Sequence, residues 1–454
     1  MEIAELVAKQ HAYFLTQATK PYAFRMEKLK ALMGWLEQNE SAVLEALHQD
    51  LGKSACEAYM TELYLALDET KLALKKLKRW MKPLRAPVAI GQLPGRCRVL
   101  SEPYGVTLIM SPWNYPFQLT VVPLVGAITA GNCAVIKPSS YSPATSALVK
   151  RMADELFAPE YVAVVEGGRK ENAELLEHKF DYIFFTGGAT VGRLVMEKAS
   201  VNLTPVSLEL GGKSPVIVDE SADIALTARR LAWGKYLNAG QTCVAPDYVL
   251  VHQSREQELV AALIAQIRAQ YTDAPLTNPD YPKIINNKHL QRLIGLLESG
   301  SVAHGGQIDE ENRRISPTVL TDVSWDSPVM QQEIFGPILP IIPYGKLDDA
   351  IAKIQSRPKP LALYLFTSSK ETEARVLGEI SYGGGCVNDV VMHLATSAMP
   401  FGGVGESGMG GYHGKYSFDT FSHKKSVLKR FAKPDISLRY QPFGEKLKIV
   451  KRLG

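Results

Sequence analysis

Cysteine is scarce in this chain, and its spacing excludes several kinds of site. The 454 residues contain five cysteines, an odd number, and none of them form a Cys-x-x-Cys pair. A disulfide framework and a zinc ribbon both need paired cysteines, and the nine histidines show no metal-ligand spacing. We therefore expect no metal site and a reducing compartment, the cytoplasm.

Excess charge of either sign is also missing. Lys and Arg total 51 against 47 Asp and Glu, which gives a net charge of +4, and the two signs are interspersed along the chain. Nucleic-acid-binding proteins concentrate positive charge in a patch or stripe, so this balance predicts no nucleic-acid partner. The first residues carry acid where a signal peptide carries base, and no export by that route is expected.

Uninterrupted apolar runs of membrane-spanning length are absent as well. The segment 106–136 has no charged residue, but Pro112, Pro116 and Pro123 interrupt it together with polar amides. This pattern predicts a buried strand, loop and helix, and we expect no integral membrane segment. The basic segment 446–454 leaves a peripheral membrane contact open.

What the chain does contain is a long alternation of strand-like and helix-like segments. Residues 1–82 have leucines at helical spacing, and from residue 105 apolar strands alternate with helices. Fully apolar strands separated by helices are typical of parallel sheets covered on both faces. A second such series follows residue 209, so the predicted fold class is α/β, with two α/β domains that each contain a parallel-type sheet.

A proline-rich segment, 84–104, separates the helical start from the first strand of the sheet. Within it, two short alternating runs, 88–93 and 95–100, flank a Pro-Gly turn and predict a β-hairpin. A hairpin inserted at this point is suited to pair with another chain, and we expect it to serve as a small oligomerisation arm.

Cys243 differs from the other four cysteines in its neighbours. A lone cysteine is more often a small core residue than a nucleophile, and that interpretation holds for the other four. Gly240, Gln241 and Thr242 are too small and polar for a packed core and favour an exposed turn with a free backbone amide. In such a turn the thiol is a candidate nucleophile for a carbonyl carbon.

Two further polar residues lie at the ends of apolar strand-like segments. Glu209 stands in a run that stops at two glycines, and a partly buried carboxylate can activate the water that releases an acyl group. Asn114 follows the strand-like segment 106–110, where its amide either donates to an oxyanion or simply forms a turn. Parallel sheets bind ligands beyond the carboxyl ends of their strands, which is where such turns fall.

Two more turns after apolar strands are candidate contacts for a nucleotide. Residues 186–192 lead into a helix, so they either offer its N-terminus to a phosphate or form a plain strand-to-helix turn. They do not match Gly-x-Gly-x-x-Gly. Lys137 and Ser139 follow another strand, where an ammonium and a hydroxyl either contact a ribose or phosphate or lie at the surface.

Seven motifs, in order and over nearly the whole chain, resemble the NAD(P)-dependent aldehyde dehydrogenase superfamily. They are residues 112–116, 137–139, 185–192, 208–213, 240–243, 333–337 and 400–408. The short length and the segment 408–423 resemble the class 3 branch, whose members act on medium-chain, fatty and aromatic aldehydes and are typically dimeric.

The resemblance implies an activity and a role for each motif. Cys243 would attack the aldehyde, its backbone amide and Asn114 would hold the oxyanion, and Glu209 would activate water to hydrolyse the thioester to a carboxylic acid. The cofactor would be NAD or NADP. The implied cofactor-binding residues are Lys137, Ser139, Thr186, Gly187, Gly192, Glu333 and Phe335.

The resemblance also implies a division of the chain and a homodimer. Residues 1–83 and 105–208 would form the dinucleotide-binding domain, and residues 209–395 the catalytic domain. The oligomerisation arm and bridging segments would be 84–104 and 396–430, followed by a C-terminal tail at 431–454.

One position departs from the family pattern. Many relatives have a glutamate after Lys-Pro-Ser that bonds the adenosine ribose hydroxyls, and this chain has Ser140. Because no carboxylate is there to repel a 2'-phosphate, and Lys137 is near, we expect NADP to be accepted alongside NAD.

Two other functions remain open at this point. A non-catalytic dinucleotide-binding or structural protein on the same fold would be expected to lack Cys243 or Glu209, and both are present. A cysteine hydrolase without a cofactor needs a histidine partner for the thiol, and none is identifiable near these motifs. His393 and the segment 390–398 are expected to border the aldehyde pocket, with a purely structural His393 as an equal alternative.

Overall fold

The computed structural model describes residues 2–453, which form two large sheets, a three-stranded sheet, a two-stranded ribbon and the helices around them. The α-helices are α1 (Ile3–Leu15), α2 (Tyr22–Gln38), α3 (Glu40–Leu51), α4 (Ala55–Ala58), α5 (Tyr64–Trp80), α6 (Gln118–Ala130), α7 (Pro143–Leu156), α8 (Arg169–Glu177), α9 (Ala189–Val201), α10 (Ile224–Tyr236), α11 (Glu256–Tyr271), α12 (Asn287–Ile294), α13 (Leu347–Gln355), α14 (Lys370–Glu379), α15 (Lys415–Thr420) and α16 (Lys446–Leu453). The strands are β1 (Leu84–Ala86), β2 (Gly95–Pro103), β3 (Val106–Met110), β4 (Cys133–Lys137), β5 (Val162–Val164), β6 (Tyr182–Thr186), β7 (Val206–Glu209), β8 (Pro215–Val218), β9 (Tyr248–His252), β10 (Ser301–His304), β11 (Ile308–Asp309), β12 (Arg314–Ile315), β13 (Thr318–Thr321), β14 (Ile338–Tyr344), β15 (Ala362–Phe366), β16 (Gly384–Val387), β17 (Gly408–Met409) and β18 (Ser422–Arg430).

The first large sheet has the strand order β17-β7-β6-β3-β4-β5 and is parallel except for β17. Every residue of β3, β4 and β6 is buried, as expected for apolar strands covered on both faces. The uncharged segment 106–136 forms β3, a loop, α6 and the start of β4. No helix within residues 2–453 is long and apolar enough to cross a membrane.

The second large sheet has the order β10-β13-β14-β9-β8-β15-β16 and is parallel except for β10. Its central strands β8, β9 and β15 are buried almost throughout. The predicted α/β fold with two parallel-type sheets is confirmed, and the segment 210–214 between β7 and β8 leads the chain from the first sheet to the second.

The three-stranded sheet joins two distant parts of the chain. Strand β2 pairs antiparallel with β18 over nine positions, from Ser422 opposite Pro103 to Arg430 opposite Gly95, and β1 pairs with the other side of β2. The hairpin prediction was wrong about its first strand, which is 84–86 rather than 88–93. Residues 88–93 instead form a turn in which the Gln92 side-chain oxygen accepts the Ala89 N–H at 3.2 Å.

Candidate active site

The residue Cys243 follows a strained turn at the end of α10. Asn238, Ala239 and Gly240 have φ values of 52°, 51° and 74°, so three consecutive residues adopt the left-handed conformation. Such a conformation costs about 1–2 kcal/mol for each residue with a side chain, and this strain is found most often at functional sites. The turn leaves the Cys243 thiol half-buried rather than packed in the core.

Two cavities meet at this thiol. The first, of about 340 Å³, contains the turns after β3, β6 and β7, and the second, of about 320 Å³, lies toward the N-terminal helices. Cys243 lines both of them, together with Leu119, Phe401 and Tyr412. A nucleophile at this position can react with a molecule that enters from either cavity.

One buried and one half-buried carboxyl group lie in the first cavity. Glu209 is the last residue of β7 and is 2% exposed, and neither of its carboxyl oxygens has a hydrogen-bond partner among the described residues. Burial raises its pKa well above the ordinary glutamate value. Burial, and then the nearby Asp247, raise the pKa of Glu333 to about 8.

These carboxyl groups act on the thiol electrostatically. Burial, and then the nearby carboxyl groups of Glu333 and Glu209, raise the pKa of Cys243 to about 12. Since a negative charge on either glutamate opposes a thiolate, the three groups form one coupled acid cluster. The free enzyme at neutral pH therefore holds Cys243 as a thiol.

Asn114 lies in the same cavity as Cys243, the candidate nucleophile. Its side-chain Nδ2 donates to the carbonyl oxygen of Gln241 at 3.0 Å, which leaves the second N–H of this amide for another acceptor. Its side chain is buried and lines the first cavity. The arrangement places a free amide donor within the cavity that contains Cys243.

Three more predicted residues, Thr186, Gly187 and Phe335, line the same cavity with Glu333. The Thr186 hydroxyl is buried without a partner among the described residues, just before the N-terminus of α9. An unpaired hydroxyl and free helix N–H groups at one place fit a polar, anionic ligand. The residues present thus fit a nicotinamide dinucleotide.

The other predicted cofactor residues do not line this cavity. The Lys137 ammonium donates to the carbonyl oxygens of Pro138 at 2.8 Å and Gly167 at 2.7 Å, and burial lowers its pKa. Ser139 follows it in the same turn and accepts the Tyr141 N–H. Gly192 packs against Leu210, since a Cβ there would lie 2.7 Å from the leucine side chain.

Comparison with known proteins decides the family. The sequence profile named "Aldehyde dehydrogenase family" matches residues 1–427. The chain belongs to the aldehyde dehydrogenase family. It is therefore an enzyme that oxidises aldehydes with NAD or NADP, and the resemblance drawn from its seven motifs is confirmed.

Individual relatives of this aldehyde dehydrogenase agree with the class 3 resemblance. The chain is 49% identical to 4,4'-diaponeurosporen-aldehyde dehydrogenase of Staphylococcus aureus, over 97% of this chain and 96% of that protein. It is 49% identical to human aldehyde dehydrogenase family 3 member B1, over 93% and 91%. The solved structure of Staphylococcus aureus AldH in a substrate-bound state superposes with a TM-score of 0.98 at 48% identity, covering 100% and 99%.

Sequence reasoning missed most of the second cavity of this aldehyde dehydrogenase. Its walls include Met60, Thr61 and Tyr64 from the N-terminal helices, which no motif marks. Only the segment 390–398 was expected there, and four of its residues do line the cavity. His393 instead turns its Nδ1 to the Cys386 sulfur at 3.7 Å, and burial lowers its pKa to about 4.

Proposed function

We propose that the enzyme oxidises medium-chain aliphatic, fatty or aromatic aldehydes to carboxylic acids through an acyl thioester on Cys243. The observation that carries this proposal is the position of Cys243 between two unlike cavities. One has carboxyl groups and a helix N-terminus, and the other is walled by apolar side chains. A nucleophile placed between them suits a reaction in which cofactor and aldehyde approach from opposite sides.

The second cavity supports the substrate class. Most of its walls are apolar, and a cavity of about 320 Å³ is large enough for a medium-length chain or an aromatic ring. Its apolar lining consists of Met60, Leu65, Leu119, Trp233, Leu237, Val244, Val391, Met392, Leu394, Ala395 and Phe401. Polar or phosphorylated aldehydes would have to leave water for walls that are mostly apolar and, within residues 2–453, include no Lys or Arg, which is unfavourable.

The chain supplies the covalent steps. The Cys243 thiol gives its proton to water, its sulfur bonds to the aldehyde carbon, and the carbonyl oxygen becomes an oxyanion that the Asn114 amide and the Cys243 N–H stabilise. A bound nicotinamide supplies the acceptor for the hydride that leaves this carbon. In its ionised form, Glu209 then takes a proton from water, the water oxygen bonds to the thioester carbon, and the C–S bond breaks to release the carboxylic acid, after which the proton passes from Glu209 to the Cys243 sulfur.

The cofactor is held by residues from both large sheets in this proposal. Lys137 and Ser139 face the adenosine end, Thr186, Gly187 and Gly192 form the turn near the phosphates, and Glu333 and Phe335 hold the nicotinamide ribose and ring. Ser140 is exposed in the turn after β4, which supports the use of NADP alongside NAD.

We further propose a homodimer and a cytoplasmic location. Strand β18 is an edge strand of nine residues, and exposed Val427, Leu428 and Phe431 lie on and beside it. Long open edges with apolar side chains pair readily with another chain. All five cysteines are free, which supports a reducing compartment.

The proposal is tested by absorbance at 340 nm with NAD and then NADP, across hexanal, decanal, benzaldehyde and a phosphorylated aldehyde. We expect reduction of the nucleotide with the three apolar aldehydes, little with the phosphorylated one, and none in Cys243→Ala. Nucleotide reduction that survives in the variant would remove the thiol from the mechanism. Preference for the phosphorylated aldehyde would contradict the substrate class.

A further inference from the structure

A fully buried ion pair lies next to the active site but outside every predicted motif. The Lys53 ammonium is 2.5 Å from a carboxylate oxygen of Glu62, and both side chains are 0% exposed. Lys53 precedes α4, and Glu62 lies in a π-helical turn, Tyr59–Leu63, between α4 and α5. Buried ion pairs add little net stability to a fold. Because π-helical turns are also frequent at functional sites, we expect the contacts of this pair to serve a function.

The pair holds the segment that contains Asn114. Lys53 also donates to the backbone carbonyl oxygen of Asn114 at 3.1 Å. The second carboxylate oxygen of Glu62 accepts the N–H groups of Phe117 at 2.8 Å and Gln118 at 3.2 Å. The ion pair therefore makes hydrogen bonds to this turn on both sides of Tyr115 and Pro116. These bonds fix the backbone of Asn114 and thus the direction from which its side chain enters the cavity.

A third charged residue of the same segment holds the turn that leads to the nucleophile. A carboxylate oxygen of Glu57 accepts the Asn238 N–H at 2.9 Å, at the first left-handed residue before Cys243. The Asn238 side chain in turn donates to the Asn114 carbonyl at 2.8 Å. The segment 53–62 thus holds both the turn that contains Asn114 and the turn that leads to Cys243. These two turns are also hydrogen-bonded to each other.

Other residues at the end of this segment and just after it line the second cavity. Met60, Thr61 and Tyr64 line that cavity, while Glu57 and Glu62 point to the catalytic turns.

We propose that Glu57 and the Lys53–Glu62 pair are positioning residues that fix the positions of Cys243 and Asn114 relative to each other. The inference rests on the proposed roles of Cys243 and Asn114. Small displacements of reacting groups lower rates strongly, so loss of these contacts acts on turnover rather than on aldehyde binding.

The first test compares Glu57→Leu with Glu57→Gln. Glutamine keeps an oxygen that accepts the Asn238 N–H, whereas leucine has no acceptor. We expect E57L to lower kcat about a hundredfold with KM changed less than about threefold, and E57Q to stay within about threefold of wild type on both. We also expect faster alkylation of Cys243 by iodoacetamide in E57L alone, because release of the nucleophile turn exposes the thiol whose burial raises its pKa.

The second test removes the ion pair as a unit in Lys53→Met/Glu62→Gln, so that no unpaired buried charge is left. We expect kcat to fall at least about tenfold while Cys243 alkylation stays at the wild-type rate, because alkylation needs no oxyanion donor. The matched control is Asp50→Asn. Asp50 is a buried carboxylate of α3 that accepts the N–H groups of Ala144 and Thr145, neither of which belongs to the Asn114 segment or the nucleophile turn.

The variants Cys243→Ala and Asn114→Ala distinguish failure of the proposed chemistry from failure of the positioning role. If either of these variants keeps wild-type activity, the proposed chemistry fails. If both lose activity while E57L matches E57Q in kcat, the positioning role is overturned. Circular dichroism and the thermal midpoint will show whether E57L folds. If it does not, the Lys53→Met/Glu62→Gln variant alone tests the proposal, and a kcat of that variant equal to the kcat of D50N overturns it.

Discussion

At the residue scale, the acid groups of the site are held in their neutral forms. Burial raises the pKa of Cys243 to about 12, of Glu333 to about 8, and of Glu209 well above its ordinary value. The causes reinforce one another, since ionisation of either carboxyl group disfavours the thiolate. We therefore expect the free enzyme to react slowly with oxidants and alkylating reagents, which act on thiolates.

The first prediction concerns the reactivity of Cys243 in the free enzyme. Because its pKa lies near 12, the thiolate fraction rises about tenfold per pH unit below that value. Alkylation by iodoacetamide, followed at the Cys243 peptide by mass spectrometry, should accelerate from pH 7 to pH 10 without levelling. Glu333→Gln should accelerate it at the upper end, because the larger of the two opposing charges is gone. A plateau near pH 8 would contradict this assignment.

A second prediction concerns the exposed Ser140. Replacement by glutamate places a carboxylate where the 2'-phosphate of NADP would lie, and like charges repel. We expect S140E to lower kcat/KM for NADP at least about tenfold while that for NAD changes less than about threefold. Ser140→Gln is the uncharged control of similar size. Equal losses with both nucleotides in S140E would show that Ser140 does not face the adenosine ribose.

The residues that could be predicted are those within local motifs. Cys243, Glu209 and Asn114 each stand in a short pattern of small or apolar neighbours, and the structure brings the three to one cavity. The Lys53–Glu62 pair could not be predicted, because a buried lysine and glutamate nine residues apart look like any charged pair on a helix surface.

At the element scale, strand ends and one strained turn build the site. Glu209 ends β7, Thr186 ends β6, and their two positions are opposite each other in the parallel ladder. The turn 238–240 then presents Cys243 from the second α/β unit. Apolar strands end where the chain meets a ligand cavity, so the same hydrophobic pattern that forms the sheet also places its polar terminal residues.

Gly240 provides the third prediction. It has φ +74°, and a Cβ there would lie 2.3 Å from the carbonyl oxygen of Gly336, which is backbone and cannot turn aside. We expect Gly240→Ala to cost about 2 kcal/mol or more of unfolding free energy and to lower kcat. Gly378→Ala is the matched control, since nothing lies within 4 Å of a Cβ added in α14. Equal stability of the two variants in urea denaturation would refute the argument.

Most strands and helices could be predicted from periodicity, and the failures have identifiable causes. The sequence does not indicate strand β14, because Pro340 and Pro343 interrupt its apolar pattern. Its first five residues are nevertheless buried, and the strand lies between β13 and β9. Helix α6 begins at Gln118 and contains Pro123, a residue type that sequence patterns place at the start of a helix rather than inside it. The strand at 84–86 is too short and too exposed to leave a periodic signal.

At the scale of the whole molecule, two parallel sheets meet around the site and a third sheet extends from them. The three-stranded sheet is stabilised by the long β2–β18 ladder, which pairs residues more than three hundred positions apart in sequence. Local patterns carry no information on such pairing, so the hairpin was predicted with the wrong partner strand. The predicted division into domains and the homodimer remain predictions.

The homodimer is the fourth prediction. Sedimentation equilibrium should give twice the mass of one chain, and Val427→Lys/Leu428→Lys should shift the protein toward monomer, since both side chains are exposed on β18. Val302→Lys is the control, because Val302 is exposed on β10, another edge strand. A wild-type protein that sediments as one chain would contradict the dimer.

The measurement that tests the central claim most directly is a rapid-mixing burst with Glu209→Gln, decanal and NAD. If Cys243 carries the acyl group and Glu209 activates the hydrolytic water, this variant should form about one NADH per active site and then nearly stop. Intact mass should increase by one decanoyl group, located on the Cys243 peptide. Sustained turnover at the wild-type rate, or a burst whose acyl group is absent from Cys243, would contradict the account.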